Sequence, residues 1–299
     1  MVRIERGMAA GATVVAVLAG GAIAAHAVEP PCTDGATPEP NSTVTCTAPG
    51  SYRLTVPAGT TAVTITALGG GGSSSYLTPL NGGNGAQIVG TATLPPDTAA
   101  LYVIVGAGGR ADPDTAQMPG GGGSGVLAID AANTVRSKLV IAGGGGGAGW
   151  SAAGGNAGEE APSGGAAGGG HPGGTSTGGA AGTTDPNTVA GPTEGGAYDA
   201  TTLDVAAGGS GAQNWNTYYA GGDGGGGWTG GGGGGWGMAT DGGGGGGGSS
   251  NADLSYFTLT SQSVAPGTGG VAPGGFQYGD GADGSVTVTF GAAERSARN

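Results

Sequence analysis

Charged side chains are scarce in this sequence, and most of those present are acidic. Only 9% of the 299 residues are charged, with 8 Lys and Arg against 20 Asp and Glu, which gives a net charge of −12. Soluble domains typically have about 25% charged residues. An acidic, lysine-poor surface repels phosphate backbones and anionic lipids, so the composition argues against nucleic acid as a partner.

Helix signals are also missing. Beyond the N-terminus, no segment has apolar residues at a period of 3.6 over eleven or more positions. This excludes the dinucleotide site that residues 106–111 (GAGGRA) suggest, because a pyrophosphate needs a helix directly after the glycines. Residues 112–123 follow instead, with two prolines and four glycines that cannot sustain a helix. We therefore expect no cofactor.

Few residues could catalyse a reaction or bind a metal. His171 is the single histidine beyond the N-terminal segment, so neither a metal cluster nor a catalytic triad can form around it. Asp280 and Asp283 could form a calcium loop, but they fit a tight turn before the last strand better. Glu159 and Glu160 are the paired carboxylates of a hydrolase alternative, although adjacent loop acids are usually solvated charge. We expect no enzymatic activity and no metal.

The N-terminus has the pattern of a targeting segment. Arg3 and Arg6 precede an apolar stretch around 13–25, and an A-x-A motif ends at Ala27. This pattern predicts a signal peptide over 1–27, cleaved after Ala27, with an uncleaved anchor as the alternative. We expect a secreted protein that is extracellular or associated with the cell surface, without stable membrane insertion after cleavage.

The two cysteines fit the same compartment. Cys32 and Cys46 lie in a turn-rich N-terminal arm over 28–50. In an oxidising compartment such a pair is expected to form a disulfide. A reactive thiol or metal site is less favoured, because no histidine or third cysteine is near.

The sequence is rich in glycine and in short β-like runs. It contains 77 glycines, and apolar runs lead directly into several of the glycine stretches, as in YVIVGAGG and KLVIAGGGGG. Such runs fill 51–142 and return over 251–290, glycine dominates 143–250, and 291–299 is a polar tail. Alternating or β-branched residues predict strands at 52–56, 63–67, 87–94, 101–105, 126–129, 139–141, 255–259 and 285–290.

Residues 143–250 have too few large apolar side chains to offset the entropy of ordering a glycine-rich backbone. Only dense backbone hydrogen bonding could order them. Extended helices with three residues per turn direct their N–H and C=O groups outward, and without Cβ atoms they can pack closely. The region is therefore either a bundle of such polyglycine-II helices or an unstructured spacer.

Several stretches resemble a known family, namely YRLTVPAGTTAVTITALGGGG (52–72), the two runs quoted above and GDGADGSVTVTF (279–290). They are similar to the glycine-rich domain of secreted bacterial proteins, phage tail adhesins and the extracellular part of the anaplastic lymphoma kinase and leukocyte tyrosine kinase receptors. The resemblance implies an all-β fold, a jelly-roll-like (tumour-necrosis-factor-like) β-sandwich with an inserted polyglycine-II helix bundle. It does not imply a kinase, since the H-R-D and D-F-G motifs are missing.

We therefore expect a secreted, non-enzymatic structural or recognition protein, adhesion-like, whose partner is an extracellular protein or a glycan. An ice- or surface-lattice-binding protein and a secreted hydrolase are the alternatives. Exposed aromatic faces flanked by amides suit sugar rings or a protein partner. The candidates are Trp215, Tyr218, Tyr219, Trp228 and Trp236. In the opposite interpretation, these rings pack the glycine region internally.

Overall fold

A computed structural model describes residues 32–75, 78–112, 117–163, 168–184, 191–213, 220–237, 241–271 and 279–291. Every regular element in these ranges is a strand, so the predicted all-β class is confirmed. The strands are β1 (Thr43–Cys46), β2 (Gly50–Thr55), β3 (Ala62–Leu68), β4 (Ala86–Thr93), β5 (Ala100–Val105), β6 (Ser124–Ile129), β7 (Val135–Ala142), β8 (Trp236–Gly237), β9 (Asp241–Gly242), β10 (Asn251–Ala252), β11 (Phe257–Val264) and β12 (Ser285–Phe290).

Ten of these strands form two antiparallel sheets of five strands each. The first sheet has the order β1-β12-β3-β4-β11, and the second has the order β10-β7-β6-β5-β2. Alternation along β12 buries Val286, Val288 and Phe290 and leaves its Ser and Thr side chains on the other face. Strands β3, β4 and β12 face β6, β7 and β5. The hydrophobic core therefore lies between the two sheets, and Leu54 and Ile65 are among its largest fully buried side chains.

The glycine-rich connections all meet at one end of the two sheets. Leu68 at the end of β3 is opposite Ser285 at the start of β12, and Ser124 at the start of β6 is opposite Ala142 at the end of β7. Segments that leave or enter these strands consequently start side by side. We call their described residues the glycine region: 69–75, 78–85, 106–112, 117–123, 143–163, 168–184, 191–213, 220–235, 243–250, 265–271 and 279–284.

Backbone hydrogen bonds in the glycine region follow a three-residue spacing. Within 143–149, amides three residues apart donate to the same neighbouring segment: Gly144 and Gly147 to 223–226, Gly145 and Ala148 to 70–73, and Gly146 and Gly149 to 152–155. Segment 220–227 follows the same spacing, as does 243–248. These bonds tie the described glycine segments into one array.

Close approach between segments is the reason for most of these glycines. Gly158 and Gly267 have left-handed backbone, with φ of 77° and 80°. Elsewhere the constraint is steric: a Cβ on Gly146 would overlap the carbonyl oxygen of Gly245. The missing side chain allows neighbouring backbones to reach hydrogen-bond distance.

The predicted disulfide between Cys32 and Cys46 is confirmed. Cys46 ends β1, which is an edge strand of the first sheet. The amide of Gly35, in the arm, donates to the carbonyl of Arg53 on β2, an edge strand of the second sheet, at 2.9 Å. The crosslink therefore joins the edges of the two sheets.

Each of the eight predicted strands overlaps a strand of the structure, but several bounds differ and four strands were not predicted. β11 begins at Phe257 rather than at 255, because 254–256 form a turn in which the amide of Tyr256 donates to the carbonyl of Asp253 at 2.9 Å. β7 begins at Val135 rather than at 139, and β11 ends at Val264 rather than at 259. The strands β1, β8, β9 and β10 were not predicted. No helix in the described ranges has the length and apolarity needed to cross a bilayer. The signal peptide predicted over 1–27, with its cleavage site at Ala27, lies outside these ranges.

Candidate functional site

The two sheets leave a gap where β10 and β11 form their edges. β10 pairs only two residues with β7, whereas β11 pairs seven of its eight residues with β4. Leu259 and Gln262 lie opposite Gly90 and Ile88, which are buried, so they share the core-facing side of the first sheet. Both are nevertheless exposed, because β10 is too short to cover them.

A groove of about 310 Å³ occupies this gap, and we call it the β11 groove. Segments 157–158, 173–175 and 249–251 form its walls together with Gln262. Its polar side chains are hydroxyls and amides and none is charged: Thr175, Ser249, Ser250, Asn251 and Gln262. A lining of uncharged donors and acceptors suits a neutral, hydroxyl-rich ligand.

Part of this lining is held in place by hydrogen bonds, and part is free. The hydroxyl of Ser250 accepts the amide of Gly143 at 2.8 Å. The side-chain oxygen of Asn251 accepts the amide of Ala252 at 2.8 Å, and its NH₂ group donates to none of the described residues. No described residue hydrogen-bonds the side chain of Gln262. Asn251 and Gln262 thus offer two amide groups to a ligand in the groove.

Comparison with known families covers both sheets and the glycine region. A family model described as a glycine-rich domain matches residues 45–291, from the end of β1 to just past β12. The chain belongs to the glycine-rich domain family. No curated protein matches the chain. The family description concerns the composition of this glycine-rich domain and names no activity.

Two of the predicted aromatic residues are buried inside the glycine-rich domain. Trp228 is 8% exposed and Trp236 is 5% exposed, so neither offers a ring face to solvent. Both rings fit the alternative interpretation of the sequence, in which the aromatic side chains pack inside the glycine region. Trp215, Tyr218 and Tyr219 lie outside the described residues, and their partner-binding role stays a prediction.

Trp228 is hydrogen-bonded to the wall of the β11 groove. Its indole N–H donates to the carbonyl of Thr175, in the groove wall, at 3.1 Å. Its ring stacks on Tyr198 with centroids 4.3 Å apart and planes 3° apart. Trp228 therefore acts on the groove as a positioning residue.

The segment that carries Tyr198 is fastened to β7 by a buried lysine, which the sequence analysis missed. The ammonium group of Lys138 donates to the carbonyl of Asp204 at 2.6 Å and lies 5.5 Å from the ring centroid of Tyr198. Burial lowers the pKa of Lys138, although the charges of Asp199 and Asp204 act in the opposite direction. Burial likewise raises the pKa of Tyr198.

Asp280 and Asp283 are engaged by the stretch that resembles a dinucleotide fingerprint. Arg110 lies 3.4 Å from the carboxylate of Asp280 and 2.7 Å from that of Asp283. The amide of Gly108 also donates to Asp283 at 2.8 Å. The predicted tight turn is wrong, because residues 279–284 contain no turn and the amides of Gly281 and Gly284 donate to Gly109 and Gly106. The described ranges contain no group of three His, Cys, Asp or Glu that could hold a metal ion.

Glu159 and Glu160, the carboxylates of the hydrolase alternative, have separate partners. Asn156 donates its side-chain N–H to Glu159 at 2.8 Å. Glu160 lies 3.4 Å from Nδ1 of His171, and both of these side chains are about half exposed. The structure thus brings Glu160 and His171 together, a contact that their sequence positions did not indicate. None of the four residues lines the β11 groove.

Proposed function

We propose that this glycine-rich domain is a secreted, non-enzymatic recognition module of adhesion-like function, whose β11 groove binds a neutral segment of an extracellular glycan. The groove lining carries the proposal. In a chain with a net charge of −12, this groove is lined by hydroxyl and amide side chains and by no carboxylate. Hydroxyl groups of a sugar both donate and accept hydrogen bonds, as do the side chains of Asn251 and Gln262.

Export is supported by the disulfide and by the N-terminal sequence. Disulfides persist in oxidising compartments and are rare in the cytosol. Cys32 and Cys46 are joined, and they follow the predicted signal peptide closely. A glycan outside the cell would be accessible to such a protein.

We further propose that the glycine region is a bundle of polyglycine-II helices and that the two sheets form a jelly-roll-like sandwich. The three-residue spacing of the hydrogen bonds supports the first point, because this helix has three residues per turn. Such a bundle would hold the groove walls at 173–175 and 249–251 rigidly.

Amide hydrogen exchange measured by mass spectrometry tests the bundle. We expect slow exchange in peptides from 143–149, 221–227 and 245–249, because their amides are paired. Exchange at random-coil rates in these peptides would contradict the bundle and leave a flexible insert.

A glycan array followed by calorimetry with the best ligand tests the binding site. We expect Gln262→Ala and Asn251→Ala each to weaken binding by about tenfold, the value of one hydrogen bond of about 1.4 kcal/mol. Gln87→Ala is the matched control, since Gln87 lies on the opposite face of the first sheet and should leave affinity unchanged. An array without a bound glycan, or two variants that bind like the wild type, would overturn the proposal.

A further inference from the structure

A second groove lies wholly within the glycine region. It has a volume of about 360 Å³ and runs between segments 119–122 and 205–210. Asp223, Gly224 and Gly226 complete the lining. We call it the Asp223 groove.

One wall of this groove has an unused amide. In segment 206–212, the amides of Gly209 and Ala212 donate to Gly231 and Gly234, following the three-residue spacing. The amide of Gly211 donates to the carboxylate of Asp223 at 2.7 Å. Gly208 precedes Gly211 by three residues, so its amide faces the same side. No acceptor for it exists among the described residues.

The opposite wall of the groove also has an amide without an acceptor among the described residues. In segment 118–123, the amide of Gly121 donates to Gly145 and that of Gly122 donates to Ala107. The amide of Gly120, the residue before these two, has no acceptor in the described part of the chain. The two walls therefore each have one amide, that of Gly208 and that of Gly120, without an acceptor in the described part of the chain.

Asp223 occupies part of the position where such carbonyls would lie. Elsewhere in the array the partner of a glycine amide is usually a backbone carbonyl, whereas Gly211 has a carboxylate oxygen. No Lys, Arg or His in the described ranges forms an ion pair with Asp223. The groove thus combines unused amide donors with a half-buried negative charge that has no cation.

We propose that the Asp223 groove is a vacant strand position of the array, which takes an extended glycine-rich peptide of a partner protein with a lysine or arginine beside Asp223. Carbonyls on such a peptide, three residues apart, would accept the amides of Gly208 and Gly120. Small residues are required, because a Cβ at most positions of the array overlaps a neighbouring carbonyl. The basic side chain would pair with the carboxylate.

Fluorescence anisotropy with a labelled peptide, acetyl-Gly-Gly-Lys-Gly-Gly-amide, tests this proposal. We expect saturable binding that weakens about tenfold in Ala207→Trp, because Ala207 is exposed in the groove wall and an indole there fills the vacancy. Ala180→Trp is the matched control, an exposed alanine in another glycine segment, and should bind like the wild type.

Charge selectivity gives an independent measurement. Asp223→Asn retains an oxygen for the amide of Gly211, and it should abolish the preference for this peptide over one with glutamate in place of lysine. Unsaturable binding, equal binding by Ala207→Trp, or a lysine preference that survives in Asp223→Asn would each overturn the proposal. Gln262→Ala should leave peptide binding unchanged, so failure here is distinguishable from failure at the β11 groove.

Discussion

A methyl group at Gly146 would overlap the carbonyl oxygen of Gly245 in a neighbouring segment, whereas one at Gly191 would meet no atom of the described residues within 4 Å. Both residues lie in glycine-rich sequence, and neither has a left-handed φ. The difference between them is set entirely by what lies across from each. The glycine content of a segment therefore does not predict at which positions a side chain would be sterically excluded.

Gly146→Ala should destabilise the protein by about 3 kcal/mol, the upper end of the usual cost of overpacking. Gly191→Ala should be neutral or stabilising by up to about 1 kcal/mol, because alanine restricts the unfolded chain and its methyl group meets none of the described residues in the folded one. Chemical denaturation of both variants measures the difference. Equal stabilities would mean that the close approach at Gly146 does not exist.

The half-buried carboxyl of Asp223 should make stability depend on pH. Burial raises its pKa above the usual 3.8, although the amide of Gly211 opposes this. The folded state therefore binds this proton more tightly than the unfolded chain. The stability from this group is complete below the usual pKa and is lost as the pH rises through the raised pKa.

Asp223→Asn should consequently be more stable than the wild type at about pH 7, and the advantage should disappear by about pH 3. Thermal unfolding across this range measures it. Asp97→Asn replaces an exposed aspartate and serves as the control. An advantage that is the same at both pH values would show that the charge of Asp223 is not its cause.

Among the elements, the short strand β1 depends most on its crosslink. It has four residues, forms an edge of the first sheet and is joined to the arm through the Cys32–Cys46 disulfide. The cysteines are 14 residues apart in sequence. Closing a loop of this size stabilises the folded state by about 3 kcal/mol.

Replacing both cysteines by serine should therefore cost about 3 kcal/mol of unfolding free energy. A reducing agent should lower the stability of the wild type by a similar amount and should leave the double variant unchanged. Denaturation with and without reductant measures both effects. A reductant effect on the double variant would point to some other cause.

Strands were predictable where polar and apolar side chains alternate in the sequence. They were not predictable where a segment becomes a strand only because it pairs with a neighbouring strand. The alternation of Val286, Val288 and Phe290 is present in the sequence, and β12 follows it. β1 has a short, weakly apolar sequence that becomes a strand because it pairs with β12. The polar end of β11 likewise extends to Val264 because β4 lies beside it.

At the scale of the whole molecule, strands of the two sheets continue directly into segments of the glycine region. Segment 69–75 continues β3, and segment 143–149 continues β7, while the two segments are hydrogen-bonded to each other through Gly145. Loss of these bonds in the glycine region should therefore loosen the strands as well.

Gly146→Ala should speed amide exchange in peptides from β3 and β7 as well as in glycine peptides, because the parts unfold together. Exchange in Gly191→Ala should match the wild type. Faster exchange confined to the glycine peptides would show that the sheets are stable on their own.

The sites were less predictable than the strands, because they combine residues far apart in sequence. Thr175, Asn251 and Gln262 meet only after the glycine segments are packed, and nothing local marks them. The sequence indicated that backbone pairing was the one means of ordering the glycines. It did not indicate which segment would lie beside which, since one glycine run is chemically like another.

The three-residue spacing also constrains how such a chain can change over generations. Loss of one glycine from 242–248 would turn every later amide of that segment toward a different neighbour. Loss of three would remove one repeat of the spacing and keep each remaining amide aimed at its old partner. Descendants of this gene should therefore lengthen and shorten their paired glycine runs in whole triplets of residues.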